Sequence, residues 1–223
     1  MTEDLWTAVD RYITDMFVPQ DDALIAALAE SAAAGLPAIS VAPNQGKLLH
    51  LLVRISGARA ILEIGTLGGY STIWMGRALP AGGRLITLEA DARHAEVARA
   101  NIASAGLAGI VEVRLGRALD TLPQLASEGA GPFDLTFIDA DKASNPQYFT
   151  WALELSRVGT LIIVDNVIRK GAVIDASSED PDIQGTRRLY ELMAAEPRVT
   201  VTAIQTVGSK GHDGLAIALV TSG

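Results

Sequence analysis

The 223-residue chain contains no cysteine. A chain without thiols has no disulfide scaffold, no thiol nucleophile and no zinc site built on thiolate ligands. Hydrophobic residues make up 49% and charged residues 20%, an ordinary globular composition that excludes wholesale disorder. Because a cysteine-free chain suits a reducing compartment, we expect a cytoplasmic protein.

The chain also lacks a basic cluster and any long apolar run. Lys and Arg total 18 against 26 Asp and Glu, a formal net charge of −8, so nucleic acid is not an expected partner. The longest apolar runs, at 48–53 and 160–164, are far shorter than the roughly 20 residues that span a bilayer. The acidic N-terminus is the opposite of a signal-peptide start. We expect no membrane partner.

Short apolar runs alternate with segments of helical periodicity from residue 60 onward. Five strands are predicted at 60–64, 84–89, 111–115, 133–139 and 160–165. Helices are predicted at about 70–79, 91–105, 117–128, 144–157 and 182–195. This alternation predicts an α/β fold, with a parallel sheet covered by helices on both faces. Two last strands, 199–206 and 215–220, are joined by a loop at 208–214 that suits a hairpin, so the final strand should be antiparallel.

The N-terminal segment has helical periodicity, with breaks at Pro19 and at 35–37 and a further helix at 45–56. Neither a repeat nor a linker interrupts the chain. We therefore predict a single domain over 1–223, in which 1–58 form a helical cap.

Acidic residues end four of the predicted parallel strands. They are Glu63, Glu89, Asp139 and Asp165, the last followed by Asn166. In an open α/β sheet, ligands bind outside the carboxyl ends of the strands, so these side chains are the first candidates for a site.

A glycine-rich loop follows the first strand and opens a helix. Glycines there let the backbone turn sharply and approach a ligand closely, but Leu67 interrupts the G-x-G-x-x-G pattern of dinucleotide sites. Glu89 ends the second strand, where a carboxylate can accept the hydroxyls of a ribose. Because Glu63 would repel a pyrophosphate but tolerate a sulfonium, these residues favour S-adenosylmethionine over NAD. The alternative is a tight turn beside a solvated glutamate.

Asp139, Asp165 and Asn166 are predicted to meet at one rim of the sheet. They offer oxygen ligands and two negative charges, which suits Mg²⁺ best, with Ca²⁺ or Mn²⁺ as alternatives. Asp141 lies two residues from Asp139, and an extended backbone would direct both to the same side. The spacing alone leaves open which of these two aspartates is the ligand.

Three strings carry a resemblance to a known family: Leu62-Glu63-Ile64-Gly65-Thr66, Phe137-Ile138-Asp139-Ala140-Asp141-Lys142 and Val164-Asp165-Asn166-Val167. They resemble the cation-dependent class I O-methyltransferases, the relatives of caffeoyl-CoA and catechol O-methyltransferase of bacterial type. The similarity covers nearly the whole chain, from 41–46 to 213–215. It implies a Rossmann-like seven-stranded methyltransferase sheet with the last strand antiparallel.

The resemblance also implies roles for individual residues. Asp139, Asp165 and Asn166 would bind the divalent metal, and Lys142 would act as the general base. Glu89 would hold the ribose of S-adenosylmethionine, Ala118 would lie near its adenine, and Asp139 near its methionine end. The rest of the cofactor site would comprise Val41, Glu63, Gly65, Thr66 and Ser71.

These observations predict an S-adenosylmethionine-dependent O-methyltransferase. Its acceptor would be a small catechol-like or phenolic molecule whose vicinal hydroxyls chelate the metal. The alternatives are an NAD(P)-dependent Rossmann oxidoreductase and a non-catalytic nucleoside-binding domain. The resemblance also leads us to expect a homodimer. His94 and His212 are expected to lie away from the acidic cluster.

Overall fold

The computed structural model describes residues 2–19 and 21–223; Met1, where the predicted helical cap begins, lies outside them. The α-helices are α1 (Glu3–Phe17), α2 (Asp22–Ala33), α3 (Pro43–Ser56), α4 (Tyr70–Gly76), α5 (Ala92–Ser104), α6 (Ala118–Ser127), α7 (Asn145–Glu154) and α8 (Pro181–Ala195). The strands are β1 (Ala60–Ile64), β2 (Arg84–Glu89), β3 (Val111–Leu115), β4 (Leu135–Ile138), β5 (Leu161–Asp165), β6 (Val199–Gly208) and β7 (Gly211–Val220). None of the helices in these ranges has both the length and the apolar character needed to span a bilayer.

The strands form one seven-stranded sheet in the order β3-β2-β1-β4-β5-β7-β6. Neighbours among β1 to β5 pair in parallel, whereas β7 is antiparallel to both β5 and β6. The predicted fold class, including the antiparallel last strand, is confirmed.

Both faces of the sheet are buried because successive strand residues point to opposite sides. Ile61 belongs to the apolar core that contains Leu49 of α3 and Trp74 of α4. The next residue, Leu62, belongs to a second core that contains Phe149 of α7 and residues of α6 and α8. The continuous apolar runs that predicted the strands follow from this two-sided burial.

The loop between the last two strands is shorter than the predicted 208–214, so that prediction was wrong in its bounds. β6 and β7 pair as far as Gly208 and Gly211, so only two residues form the turn. Polar side chains suggested a loop there, but they are partnered within the hairpin: His212 Nε2 lies 3.0 Å from Gln205 Oε1 on the neighbouring strand.

An aspartate of α1 fastens this hairpin to the helices at the N-terminal end. Asp10 Oδ2 accepts a hydrogen bond from the Ser209 amide at 2.7 Å, and its Oδ1 accepts one from Asn44 Nδ2 of α3 at 2.9 Å. The three elements α1, α3 and the β6–β7 turn are therefore held by one carboxylate.

The parallel strands bring the acidic residues to one edge of the sheet. Glu89 and Asp165 are the last residues of β2 and β5, Glu63 is the penultimate residue of β1, and Asp139 directly follows β4. The strand order reverses between β1 and β4, which opens a crevice at the carboxyl ends of these strands.

Helix α8 packs closely on a short 3₁₀ turn, Lys142–Ser144, that borders this crevice. The contact requires glycine at position 185, because a Cβ there would overlap the Lys142 carbonyl and the Ala143 Cα. We predict that Gly185→Ala lowers the free energy of unfolding by about 1–3 kcal/mol through overpacking. Urea unfolding measures the effect. Gly109→Ala is the matched control, since a Cβ at Gly109 meets nothing within 4 Å; equal stability of the two variants would contradict the prediction.

Candidate functional site

A cavity of about 510 Å³ lies at the carboxyl edge of the sheet. It is enclosed by the loops that follow β1 to β5 and by residues 39–41 of the segment between α2 and α3. The predicted site residues that line it are Val41, Gly65, Thr66, Ser71, Glu89, Ala118, Asp139, Lys142 and Asn166. Glu63 and Asp165 lie behind its wall.

The loop after β1 passes very close to the end of β4. Gly65 has a φ of +99°, and a Cβ at this position would overlap the Asp139 carbonyl. The Asp139 amide donates to the Ile64 carbonyl at 2.8 Å. Glycine at position 65 therefore allows the loop and Asp139 to share one wall of the cavity.

Glu89 fixes the conformation of this loop. Its Oε2 accepts hydrogen bonds from the Thr66 amide at 3.2 Å and the Leu67 amide at 2.8 Å. Its Oε1 accepts one from the Asp91 amide at 2.9 Å. Hydrogen bonds from backbone N–H groups to a carboxylate are charge-assisted and strong, so Glu89 holds the loop in place while it also lines the cavity.

Glu63 is fully buried and its carboxylate does not reach the cavity. Ser71 Oγ donates to Glu63 Oε1 at 2.6 Å, and Thr72 Oγ1 donates to Oε2. Burial raises the pKa of Glu63 to about 7 despite these hydrogen bonds. Its link to the cavity is thus through Ser71, which lines it.

The predicted metal residues meet where two cavities adjoin. Asn166 borders both the 510 Å³ cavity and a second one of about 220 Å³, which Asp165 lines. Burial, together with repulsion from Asp139, raises the pKa of Asp165 to about 7. Gln45 Nε2 donates to Asp165 Oδ2 at 2.6 Å. The described residues hold no cluster of three or more His, Cys, Asp or Glu suited to a metal; the predicted set has two carboxylates and one amide.

Lys142 and Asp139 form an ion pair at the cavity wall. Lys142 Nζ lies 2.7 Å from Asp139 Oδ1, and the lysine is only 6% exposed. The neighbouring Asp141 is engaged elsewhere: it accepts hydrogen bonds from the Ser144 amide at 3.2 Å and from the Tyr148 hydroxyl. Burial opposes ionisation of Asp141, but these hydrogen bonds outweigh it and lower its pKa. Asp141 thus caps the turn on which Lys142 lies.

Tyr148, which was not predicted, lines the cavity together with Ile39 and Arg169. His94 was expected away from the acidic residues, and this was wrong: it lines the cavity, and its Nδ1 lies 3.7 Å from Glu89 Oε1. Its place in the first turn of α5, at the same edge of the sheet, was the signal that would have found it. His212 lies in β7 and does not line the cavity.

We predict that Glu63 makes folding stability fall as the pH rises. Its pKa of about 7 exceeds the ordinary 4.5, so the folded chain binds this proton more tightly than the unfolded chain. The stabilisation is complete below pH 4.5 and is lost as the pH passes 7, in total roughly 3 kcal/mol. Glu63→Gln should flatten urea-unfolding stability between pH 5 and 8, relative to the wild type. Glu191→Gln, at an exposed position of α8, is the control; parallel pH profiles for wild type and Glu63→Gln would contradict the prediction.

Comparison with known proteins identifies the family. A family model described as O-methyltransferase matches residues 17–219. The chain is 56% identical to a catechol O-methyltransferase of Niastella koreensis over 220 residues, covering 99% of this chain and 100% of the relative. A catechol O-methyltransferase of Mycobacterium tuberculosis is 54% identical over 95% of this chain and 94% of its own length. A crystal structure of the O-methyltransferase from Bacillus cereus in complex with SAH matches with 60% identity and a TM-score of 0.98, covering 99% of this chain and 100% of that one. This chain therefore belongs to the O-methyltransferase family.

Proposed function

We propose that the protein transfers the methyl group of S-adenosylmethionine to a hydroxyl of a small catechol-like or phenolic acceptor, with the help of a divalent cation. The observation that carries this proposal is that one cavity holds Glu89 together with the Asp139–Lys142 pair and Asn166. A cofactor bound at Glu89 and an acceptor bound near Lys142 would then share one enclosed space. Membership of the O-methyltransferase family favours this function over the oxidoreductase and nucleoside-binding alternatives.

The charge of the cavity supports S-adenosylmethionine as the cofactor. Glu89 Oε2 accepts from two loop amides and Oε1 from only one, so Oε1 is the oxygen with more capacity left to accept a hydrogen bond from a ribose hydroxyl. Glu89 and Asp139 both line the cavity, and their charges favour a sulfonium and an amine over a pyrophosphate. The sequence argument gave this task to Glu63, but Asp139 is the acidic group better placed for it. The Bacillus cereus relative was solved with SAH.

The donor set supports a hard divalent cation. Asp139, Asp165 and Asn166 would supply oxygen ligands, and the raised pKa of Asp165 reflects both its burial and the proximity of the Asp139 carboxylate. A cation between two such carboxylates would relieve their repulsion. When bound, it would polarise the acceptor hydroxyl and favour its ionised form.

In this proposal Lys142 would take the proton of the acceptor hydroxyl. Its side chain is almost fully buried, and Asp139 Oδ1 fixes the position of Nζ at 2.7 Å. The backbone is fixed as well, since α8 packs against the Lys142 carbonyl at Gly185. A base needs a free lone pair, so Lys142 would accept the proton at Nζ as the neutral amine, once a bound cation has engaged the Asp139 carboxylate with which it pairs in this structure.

We predict that removal of divalent cations with EDTA abolishes methyl transfer to catechol and that Mg²⁺ restores it. Mg²⁺ at 100 times its dissociation constant should also stabilise the wild type by roughly 3 kcal/mol, measured by urea unfolding. Asp165→Asn should lose most of this stabilisation, whereas Asp15→Asn, at an exposed position of α1, should keep it. Transfer that persists undiminished in EDTA would reject the metal dependence.

We predict that Lys142→Met lowers kcat by about 10²–10⁴-fold, the usual contribution of a general base. The affinity for S-adenosylmethionine, measured by calorimetry, should change much less. Lys142→Arg separates two roles, because arginine keeps a positive charge beside Asp139 but does not lose its proton in proteins. The base role requires that both variants be slow; wild-type turnover in Lys142→Arg would show that only the charge matters.

A further inference from the structure

The loop after β5 brings a second cation to the cavity. Arg169 lies three residues after Asn166, and both line the 510 Å³ cavity together with Lys142. The Arg169 side chain is 29% exposed, so it is partly accessible to solvent as well as lining the cavity.

The backbone at Arg169 is held in an unusual conformation. Arg169, Lys170 and Gly171 have φ values of 54°, 57° and 86°, in the left-handed region of backbone conformation that residues other than glycine rarely adopt. Asp213 Oδ1, on β7, accepts hydrogen bonds from the Ile168 amide at 3.0 Å and the Arg169 amide at 3.1 Å. Backbone strain of this kind is common at functional sites. Here the Asp213 carboxylate stabilises the strained conformation and fixes the position of the Arg169 backbone.

The acidic side chains of the cavity are engaged by other residues, so most N–H donors of the Arg169 guanidinium remain available for a ligand. Asp139 is paired with Lys142, and Asp141 is bound by Ser144 and Tyr148. Within residues 2–19 and 21–223, the polar contact of the guanidinium is Nη2 to Asp182 Oδ2 at 3.2 Å, and the Asp182 side chain is 38% exposed. An ion pair that is this exposed to water contributes little binding free energy. Because a guanidinium presents five donors in a planar fork that matches a carboxylate, most of its capacity is unused.

We propose that Arg169 binds an anionic substituent of the acceptor, so that the acceptor is an ortho-dihydroxy arene that carries a carboxylate or a similar anion. This inference rests on the proposed function and deepens it. Lys142 and Asn166 would face the reacting hydroxyls, while Arg169 holds the charged group. Two anchors on one rigid arene fix which hydroxyl faces the methyl donor.

The test compares 3,4-dihydroxybenzoate with its neutral isostere 3,4-dihydroxybenzamide. We expect Arg169→Met to lower kcat/KM for the benzoate by roughly 10- to 100-fold, the usual effect of losing a hydrogen bond to a charged group. The value for the benzamide should stay within about twofold, which also shows that the variant is folded. Lys170→Met is the matched control: it removes the same charge from the next residue, which is exposed and does not line the cavity, and both substrates should keep their wild-type values.

Calorimetry with the SAH-saturated protein in Mg²⁺ gives a second measurement that does not need turnover. The wild type should bind the benzoate more tightly than the benzamide, and Arg169→Met should remove the difference. Equal affinities in the wild type, or equal losses for the two ligands in Arg169→Met, would overturn the role of Arg169. Failure of the wild type to methylate either compound would instead contradict the proposed function, while the binding measurement would still decide the role of Arg169.

Discussion

The carboxylate of Glu89 is the interaction on which the cavity depends. It accepts hydrogen bonds from the amides of two neighbouring loops, those of Thr66 and Leu67 after β1 and that of Asp91 after β2. Amides at such a turn would otherwise need water or a ligand. One side chain therefore shapes the glycine loop before any cofactor arrives, and the binding site is preorganised.

Two carboxylates near this loop, one buried and one partly exposed, differ in what they contact. Glu63 is enclosed by hydroxyl groups and supports Ser71 from behind, whereas Asp139 lies on the cavity wall against Lys142. Glu63 supports the loop from inside the fold, and Asp139 lines the cavity. The burial of each strand-end carboxylate therefore decides its place: a buried one supports the loop, and a partly exposed one lines the cavity.

Local apolar patterns predicted the sheet, and positions at strand ends predicted the acidic residues of the cavity, whereas Val41 and Ala118 were predicted from the family resemblance alone. Apolar runs identify strands that are buried on both faces, and strand order then brings Glu89, Asp139 and Asn166 to one edge. The sequence misplaced Glu63, because the position of a residue at a strand end does not reveal how deeply its side chain is buried. It missed His94 and the extent of the β6–β7 hairpin, since both depend on contacts with other parts of the chain that no local pattern records.

The bond between Asp10 and the Ser209 amide joins residues 199 positions apart in the chain. Contacts of such long range raise the contact order of a fold, which slows folding. During synthesis, α1 and α3 emerge first and must wait for the β6–β7 hairpin before Asp10 finds its partner. Since Asp165 and Asn166 line the same small cavity as Asp10 and Gly208, this end of the candidate site is complete only after the β6–β7 hairpin has been synthesised and has packed against α1 and α3.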